Sequence, residues 1–365
     1  MRGDSLLVAA GGTGGHLYPA LAVADKYREL AGPSDITFVG TKRGLETRIV
    51  PKAGFPLELV RAEPLRGGTI GRKLKGLYGL VFGMVDAVRL VRRVRPRVVL
   101  GVGAYVSGTV LLTAALRGIP TMILEPNAEP GLANKWLAPF VDEAACAWQE
   151  TTRYFRGKGF VTGNPVRQSV VDVPPLREPS TTMRVLAFGG SQGSRALNDA
   201  LIESVPLLAS VASRVKITHQ TGPNDLERVR RAYEAGAIDA CATPYIDAMD
   251  EAYADADVVV ARAGATTCAE LAAAGRPAVL LPLSLAGGHQ ESNARLLSRA
   301  GAATMITSSD LSGEALASSL LRLLDAPDER ARMAAQARGL ARPDAAVDVA
   351  RRLVRLSERA GEQVS

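Results

Sequence analysis

The stretch SLLVAAGGTGGHLYPALAVADKYREL, residues 5–30, joins a short apolar run, a glycine-rich turn and a segment with apolar residues at helical spacing. The stretch MRVLAFGGSQGSRALNDAL, residues 183–201, repeats the same arrangement. A strand that passes through a tight turn into a helix is the opening unit of a parallel α/β sheet. Two such openings in one chain predict two similar α/β halves.

The rest of both halves alternates buried-strand patterns with amphipathic helical patterns, the rhythm of parallel βα units. The strand candidates are ITFVG, RVVLGV and PTMIL in the first half and VKITHQ, DVVVAR and PAVLLPL in the second. A proline-rich stretch at 162–182 separates the halves. We predict one domain over 1–163, a second over 164–343 and a last helix over 344–365.

The composition is that of a folded globular protein, with 47% hydrophobic and 22% charged residues in a chain of 365. Its three cysteines are far apart, which argues against a disulfide framework and favours a reducing cytosol. Residues 98–116 carry no charge and are long enough to raise the question of a membrane span. Because Gly101 and Gly103 divide this stretch, we predict a buried strand, a turn and a helix.

The net charge of +7 is concentrated between Arg61 and Arg97, a segment that contains ten basic and two acidic residues. Such a segment attracts an anionic partner, either lipid headgroups or nucleic acid. Apolar and aromatic residues are interleaved with the cations, which suits an anionic bilayer surface. The alternative is an ordinary helix with its apolar side in the core. Aromatic residues are few and no RNA-binding motif occurs, so we predict no nucleic-acid partner.

Glycine turns at the carboxyl ends of parallel strands present free N–H groups and a helix N-terminus to an anion. The turn GGTGGH departs from the dinucleotide pattern GxGxxG, since Leu17 occupies the position of the last glycine. A tight strand-to-helix connection is the alternative for either turn alone. Two matched turns, together with GVGAYVSG at 101–108, favour a nucleotide or sugar-phosphate site. Because no DxD or His/Asp cluster offers a metal a clear site, we predict neither a metal nor another cofactor.

Several polar side chains fall at these strand-to-helix junctions. His16 follows the first turn, where a neutral imidazole could accept a proton from a sugar hydroxyl or merely cap the helix. Glu270 follows another glycine turn and could accept hydrogen bonds from a ribose diol or only favour the helix dipole. The amides of Gln290 and Asn293 suit sugar hydroxyls. Arg167 could meet a diphosphate or tie the linker to its domain.

The motifs together resemble one family, the peptidoglycan glycosyltransferases that add N-acetylglucosamine to a lipid-linked muramyl-pentapeptide. The resemblance runs through the whole chain, in GGTGGHLYPALAVAD, FVGTKRGLETRIVPKAGF, GVGAYVSG, NKWLA, VTGNPVR, GGSQGSRALN, THQTG, YIDAM, ADVVVARAGATTCAELAAAGRPAVLLPL and HQESNARLL. It implies a GT-B fold, with two Rossmann-like domains facing each other across a cleft and the C-terminal helix crossing back to the first domain. It also implies UDP-N-acetylglucosamine as donor, undecaprenyl-linked muramyl-pentapeptide as acceptor, inversion at the anomeric carbon and a location at the cytoplasmic face of the membrane.

The same resemblance implies a role for individual positions. In the donor site, Ser191 would meet the diphosphate, the main chain of Ile246 the uracil, and Glu270 the ribose. Around the phosphates and the sugar would lie Ala265, Thr266, Thr267, Cys268 and Ala269. The acetylglucosamine would contact Gln290 and Asn127, with Arg167 nearby. The acceptor-side loop would comprise Thr13, Gly14, Gly15 and His16, and His16 is our candidate for the catalytic base.

Two departures from the family pattern affect these assignments. Where many members read EQN, this chain has Glu125-Pro126-Asn127, which retains the asparagine and stiffens its approach. Where some members carry two adjacent glutamines, it has His289-Gln290. Two other function classes remain open: a different UDP-sugar enzyme, such as a glycolipid synthase or a nucleotide-sugar epimerase, and a binding protein without catalytic activity.

Overall fold

The structure is a computed structural model that describes residues 4–12, 14–42, 44–61, 70–283 and 288–362. At positions 4, 70–80, 104–105 and 360–362 only the backbone is described. The chain divides into two compact units, one formed by residues 1–166 and 342–365 and the other by residues 167–341. We call them unit 1 and unit 2.

Unit 1 is built on a seven-stranded parallel sheet with helices on both faces. Its strands are β1 (Asp4–Ala9), β2 (Ser34–Gly40), β3 (Leu57–Leu59), β4 (Val98–Gly101), β5 (Thr121–Glu125), β6 (Glu143–Cys146) and β7 (Gly159–Val161). Its helices are α1 (Gly14–Ala31), α2 (Glu46–Lys52), α3 (Ile70–Val94), α4 (Ala104–Ala115), α5 (Leu132–Leu137) and α14 (Ala345–Glu362), with a 3-10 segment at Gln149–Phe155. The strand order is β3-β2-β1-β4-β5-β6-β7.

Unit 2 repeats this plan with six parallel strands. These are β8 (Met183–Phe188), β9 (Val215–Gln220), β10 (Asp239–Thr243), β11 (Val258–Ala261), β12 (Ala278–Leu280) and β13 (Ala303–Met305), in the order β10-β9-β8-β11-β12-β13. Its helices are α6 (Gln168–Val171), α7 (Arg195–Ser204), α8 (Leu226–Ala235), α9 (Met249–Asp255), α10 (Ala265–Ala274), α11 (His289–Arg299), α12 (Gly313–Asp325) and α13 (Pro327–Gly339), with a 3-10 segment at Val205–Arg214. The prediction of two α/β halves with parallel sheets is confirmed.

Each sheet buries both faces, because successive side chains of a strand point in opposite directions. In β1, Leu6 and Val8 pack in a core that contains residues of α1 and of the C-terminal helix α14, such as Val349 and Leu353. The alternate residue Leu7 packs in a second core with residues of α3 and α4. The last helix of the chain is therefore part of unit 1.

The uncharged stretch 98–116 forms the buried strand β4 and the helix α4, as predicted. Strand β4 lies next to β1 in the middle of the sheet, which explains why this stretch is almost entirely apolar. Within the described ranges, no helix combines the length and the apolar character needed to cross a bilayer.

Candidate functional site

In both sheets the order in which the chain adds its strands reverses at an equivalent place. In unit 1 the chain starts at β1 and proceeds first to one side and then, from β4, to the other; β8 and β11 do the same in unit 2. Such switch points are where parallel α/β sheets bind ligands, at the carboxyl ends of the strands. In each unit glycine-containing turns follow both strands at the switch point, so the predicted binding turns lie where ligands are expected.

The first turn of unit 1 contacts a buried carboxylate that the sequence did not single out as a candidate. Glu46 has no exposed surface, and its side chain accepts hydrogen bonds from the Gly12 N–H at 3.0 Å, the Thr41 N–H at 2.8 Å and the Thr41 hydroxyl at 3.0 Å. A Cβ added to Gly11 would lie 2.7 Å from Glu46 Oε1, so a glycine is required there. An internal anion thus occupies part of this turn.

His16 lies in the first turn of α1, directly after the glycine turn. Its Nε2 would lie 3.1 Å from a Cβ placed on Gly103, so the imidazole sits beside the turn that follows β4. Burial lowers the pKa of His16, and a hydrogen bond with the Gly11 backbone opposes this shift. The ring is therefore neutral at pH 7, which is the form a general base requires.

Three other predicted residues belong to this loop. Gly14 and Gly15 form the beginning of α1, at the positive end of the helix dipole. Thr13 lies outside the described residues. The loop therefore combines the N-terminus of α1 with a neutral imidazole, which suits contact with a polar ligand.

Asn127 is held by a buried carboxylate at the end of β5. Glu125 accepts hydrogen bonds from the N–H and the side-chain amide of Asn127, at 2.9 and 3.1 Å. It also accepts from the Gly131 N–H at 3.1 Å and the Asn134 amide at 2.7 Å. Burial raises the pKa of Glu125, and these four donors oppose that shift. The asparagine side chain is consequently fixed in place by the strand end.

The turn of unit 2 that contains Ser191 is braced differently. The Gln220 amide donates to the Gly190 carbonyl at 2.7 Å and accepts from the Ile246 N–H at 3.3 Å. Among the described residues, the N–H groups of Ser191 and Gln192 have no protein acceptor. In unit 1 the Glu46 carboxylate accepts a hydrogen bond from the glycine turn. In unit 2 the exposed turn has main-chain donors from which an external anion could accept.

Helix α10 begins at Ala265 with Gly264 as its N-cap, and no side chain caps it. The first turn of α10 therefore carries the positive end of the helix dipole. The Cys268 N–H already donates to the Gly264 carbonyl at 2.9 Å. The Cys268 thiol is fully buried, and burial raises its pKa to about 12. This thiol is thus an inert core group, and Ala269 follows it in the helix.

The carboxylate of Glu270 sits between a phenol and a guanidinium. Tyr253 donates its hydroxyl to Glu270 Oε2 at 3.1 Å, and the Arg167 guanidinium lies 3.5 Å from Oε1. Burial raises the pKa of Glu270, while Arg167 and the Tyr253 hydrogen bond lower it. The structure thus brings the predicted residues Arg167 and Glu270 together, and Tyr253 is a neighbour that the sequence did not reveal.

Gln290 lies in the first turn of α11, and its side-chain oxygen is already engaged. It accepts from the Leu283 N–H at 3.0 Å and from Arg262 Nε at 3.4 Å. The neighbouring Asn293 donates its amide to the Ala263 carbonyl at 3.2 Å. These bonds tie α11 to the turn after β11, so Gln290 and the start of α10 form one edge of the same switch point.

His219, at the end of β9, is surrounded by buried polar side chains. It is fully buried between the Tyr233 hydroxyl at 2.9 Å and the Asn198 side chain at 3.1 Å. Burial lowers its pKa to about 3. A ring that cannot become protonated near neutral pH and contacts no solvent serves to position its neighbours.

Comparison with protein families and known proteins gives a consistent result. Residues 6–146 match the glycosyltransferase family 28 N-terminal domain, and residues 184–349 match the glycosyltransferase family 28 C-terminal domain. The UDP-N-acetylglucosamine–N-acetylmuramyl-(pentapeptide) pyrophosphoryl-undecaprenol N-acetylglucosamine transferase of Anaeromyxobacter dehalogenans is 44% identical over 348 residues, which cover 94% of this chain and 91% of the relative.

Solved structures show the same architecture. The crystal structure of Acinetobacter baumannii MurG is similar with a TM-score of 0.78 and 28% identity, over 96% of this chain and 99% of that one. The UDP-GlcNAc 2-epimerase of Neisseria meningitidis, crystallised with UDP-GlcNAc, is similar with a TM-score of 0.69 and 13% identity, over 96% of this chain and 100% of that one. At that identity the second likeness concerns the fold alone.

Proposed function

Because this chain belongs to glycosyltransferase family 28, we propose that it transfers N-acetylglucosamine from UDP-N-acetylglucosamine to the 4-hydroxyl of undecaprenyl-diphosphate-linked N-acetylmuramyl-pentapeptide. The observation that carries the proposal is the 44% identity, over nearly the whole chain, to a transferase named for this donor and acceptor. Unit 2 would hold the donor, and the glycine loop of unit 1 would receive the acceptor.

Three features of unit 2 support its role as the donor domain. The exposed turn at Ser191 and the uncapped N-terminus of α10 both offer main-chain donors to a diphosphate. The buried carboxylate of Glu270 can accept from the two hydroxyls of a ribose. The main chain at Ile246 is held in place because its N–H donates to Gln220, and its carbonyl would meet uracil.

In the proposed reaction, a base removes the proton of the acceptor 4-hydroxyl as its oxygen attacks the anomeric carbon and the bond to UDP breaks. His16 is the candidate base, since burial keeps its imidazole neutral. Negative charge grows on the departing diphosphate, and preorganised main-chain donors at Ser191 and Ala265 would stabilise it. Attack from the face opposite UDP inverts the anomeric centre and gives a β-1,4 link.

The ribose role of Glu270 makes a quantitative prediction. Removing the carboxylate in Glu270→Ala eliminates two charge-assisted hydrogen bonds, each contributing about 1.5–3 kcal/mol. We expect the donor KM and the UDP dissociation constant to rise by roughly 10²- to 10⁴-fold, whereas the acceptor KM stays within about twofold. Titration calorimetry with UDP measures the first quantity directly.

Tyr253→Phe is the companion variant, because it deletes the phenol that donates to Glu270 and leaves the carboxylate in place. A smaller loss of UDP affinity is expected for it, about three- to tenfold, as one neutral-to-charged hydrogen bond is removed. If Glu270→Ala bound UDP as tightly as the unaltered chain, Glu270 would have no role at the ribose.

The reaction itself is tested by turnover of UDP-N-acetylglucosamine with a synthetic lipid-linked muramyl-pentapeptide, with UDP release and the disaccharide product as readouts. UDP-glucose and UDP-galactose serve as alternative donors. Conversion of UDP-N-acetylglucosamine to its 2-epimer without acceptor would support an epimerase instead. Binding of UDP-N-acetylglucosamine with no product in either assay would support a binding protein.

We also propose that the Arg61–Arg97 segment contacts an anionic bilayer at the cytoplasmic face, since the acceptor carries a polyprenyl chain. In the second half of α3, Val81, Val85, Arg89 and Arg92 are exposed at helical spacing, so one face passes from apolar to basic. The opposite face, with Leu90 and Val91, is buried in the core of unit 1. A helix with this division suits the surface of a membrane.

Sedimentation with vesicles tests this contact. Reversing two charges in Arg89→Glu/Arg92→Glu should weaken binding to vesicles that contain anionic lipid by about tenfold or more, because each nearby cation contributes on the order of 1 kcal/mol. Arg299→Glu, an exposed cation at the end of α11 in unit 2, is the control and should bind as the unaltered chain does. Equal binding by all three proteins would contradict the assignment of this face.

A further inference from the structure

The segment His219–Gly222 lies directly beneath the turn that contains Ser191. Gly193 has a φ of 75°, and a Cβ at this position would overlap the Thr221 carbonyl. Gly222 has a φ of 80°, and a Cβ there would overlap the Gln192 carbonyl. Main chain therefore packs against main chain, and the two glycines are required for this approach.

Neighbouring side chains hold the segment rigidly. Asn198 is fully buried at the start of α7 and donates to the Thr221 carbonyl and to Asp225, both at 2.9 Å. Its side-chain oxygen meets the His219 ring. The Thr221 N–H donates to the Thr243 carbonyl at 2.9 Å, which fixes the start of the strand-end loop leading to Ile246. The segment His219–Gly222 is thus bonded to both parts of the donor site.

Gln220 is the side chain that connects these two parts. It is 3% exposed, and its two amide atoms point to different elements: the NH₂ group donates to the Gly190 carbonyl, and the oxygen accepts from the Ile246 N–H. The proposed function places the diphosphate at the first element and the uracil at the second. One buried amide therefore spans the separation between the base and phosphate subsites.

We infer that Gln220 is a positioning residue that fixes the spacing of the uracil and diphosphate subsites, so that both ends of UDP are bound without reorganisation. The inference rests on the proposed function and adds a specificity element to it. A rigid spacing favours a ligand that carries both groups over either group alone, because the second contact then forms within the same molecule at no further ordering cost. Gln220 acts through Gly190 and Ile246 and is not assigned a contact with the reacting atoms.

Replacing Gln220 should therefore weaken the binding of a ligand that carries both the base and the phosphates more than the binding of either group alone. Gln220→Met keeps a similar volume and removes both hydrogen bonds. We expect the UDP dissociation constant to rise by about tenfold or more, while those of uridine alone and of inorganic pyrophosphate alone change by less than about threefold. Calorimetry serves for UDP, and chemical-shift titration serves for the two weaker fragments.

A second variant separates the two contacts. Gln220→Glu retains an oxygen for the Ile246 N–H but has no donor for the Gly190 carbonyl, and its charge opposes a phosphate. Pyrophosphate and UDP should both bind more weakly to it, whereas uridine should bind as before. This variant also provides a folded reference should Gln220→Met prove unstable.

Ser204→Ala is the matched control for loss of stability. Ser204 is buried in α7 of the same unit and donates to the Leu201 carbonyl at 2.7 Å, away from both subsites. It should lower the melting temperature without altering UDP affinity. Unchanged UDP binding in Gln220→Met, or losses for uridine and UDP by the same factor, would overturn the inference. Absence of UDP binding by the unaltered chain would instead refute the proposed donor site.

Discussion

His16→Ala is expected to lower kcat by about 10²- to 10⁴-fold, the range that positioned general-base catalysis contributes. The imidazole lies beside Gly103 at the switch point of unit 1, and burial keeps it neutral. The groups assigned to UDP itself all belong to unit 2, so UDP affinity should change by less than about twofold, which is less than about 0.5 kcal/mol at about 1.4 kcal/mol per factor of ten. Steady-state turnover and UDP calorimetry on the same preparation separate the two quantities.

His16→Gln distinguishes a base from a helix cap. Glutamine keeps a donor for the Gly11 main chain and an oxygen that can accept from a helix N–H, but it cannot accept a proton near neutral pH, so a cap would be largely restored by it and a base would not. The pH profile gives a second test. Because the pKa of His16 is lowered from 6.5, kcat should rise with pH through a limb lying below pH 6.5, and that limb should disappear in both variants. Near-normal turnover by His16→Gln would eliminate His16 as the base.

The main outline of the fold could be predicted because central parallel strands are recognisable from short apolar runs alone. The runs SLLVAA, RVVLGV, MRVLAF and DVVVAR all form strands at the centre of a sheet. Strands β10 (DACAT) and β13 (ATM) were not predicted. They lie at sheet edges, are partly exposed, and are short or consist mostly of small residues, so they lack an apolar pattern.

The site was predictable where a residue lies next to a glycine turn in the sequence, and not where it reaches the turn through space. Glu270 and Arg167 are 103 residues apart, yet each follows a recognisable motif, and the structure brings them together. Gln220 stands next to none of the glycine turns predicted from the sequence, and it contacts Gly190 and Ile246, 30 and 26 residues away. A hydrogen bond between residues so far apart in the sequence produces no periodic pattern from which it could be predicted.

Glu46 is a second residue whose contact with a glycine turn could not be predicted from the sequence. In TKRGLETRIV it stands two residues after a glycine and begins a helix, a position where an exposed acid favoured by the helix dipole is the usual expectation. Its burial depends on three glycines that leave room for the carboxylate: Gly11 in the turn after β1, Gly40 at the end of β2, and Gly44 shortly before α2. The sequence shows the glycines but not the space that they enclose.

Glu46→Ala is expected to destabilise unit 1 by about 3–5 kcal/mol. The change leaves the Gly12 N–H, the Thr41 N–H and the Thr41 hydroxyl without their acceptor, at a cost of about 1–3 kcal/mol for each group that stays dry. At about 2–4 °C per kcal/mol for a unit of this size, the melting temperature should fall by on the order of 10 °C. Amide hydrogen exchange at Gly12 and Thr41 should accelerate, which locates the effect in the glycine turn.

Glu58→Ala is the control, since Glu58 belongs to the same unit but is 39% exposed and paired with Arg93 at the surface. Its loss should cost less than about 1 kcal/mol. Glu46→Gln should fall between the two, because one amide oxygen remains while the NH₂ group opposes a main-chain N–H. Since the turn leads into His16, kcat in Glu46→Gln should decrease more than UDP affinity does. A melting temperature for Glu46→Ala equal to that of Glu58→Ala would mean that water replaces the carboxylate in the turn, and the buried acid would then have no structural part in holding the acceptor loop.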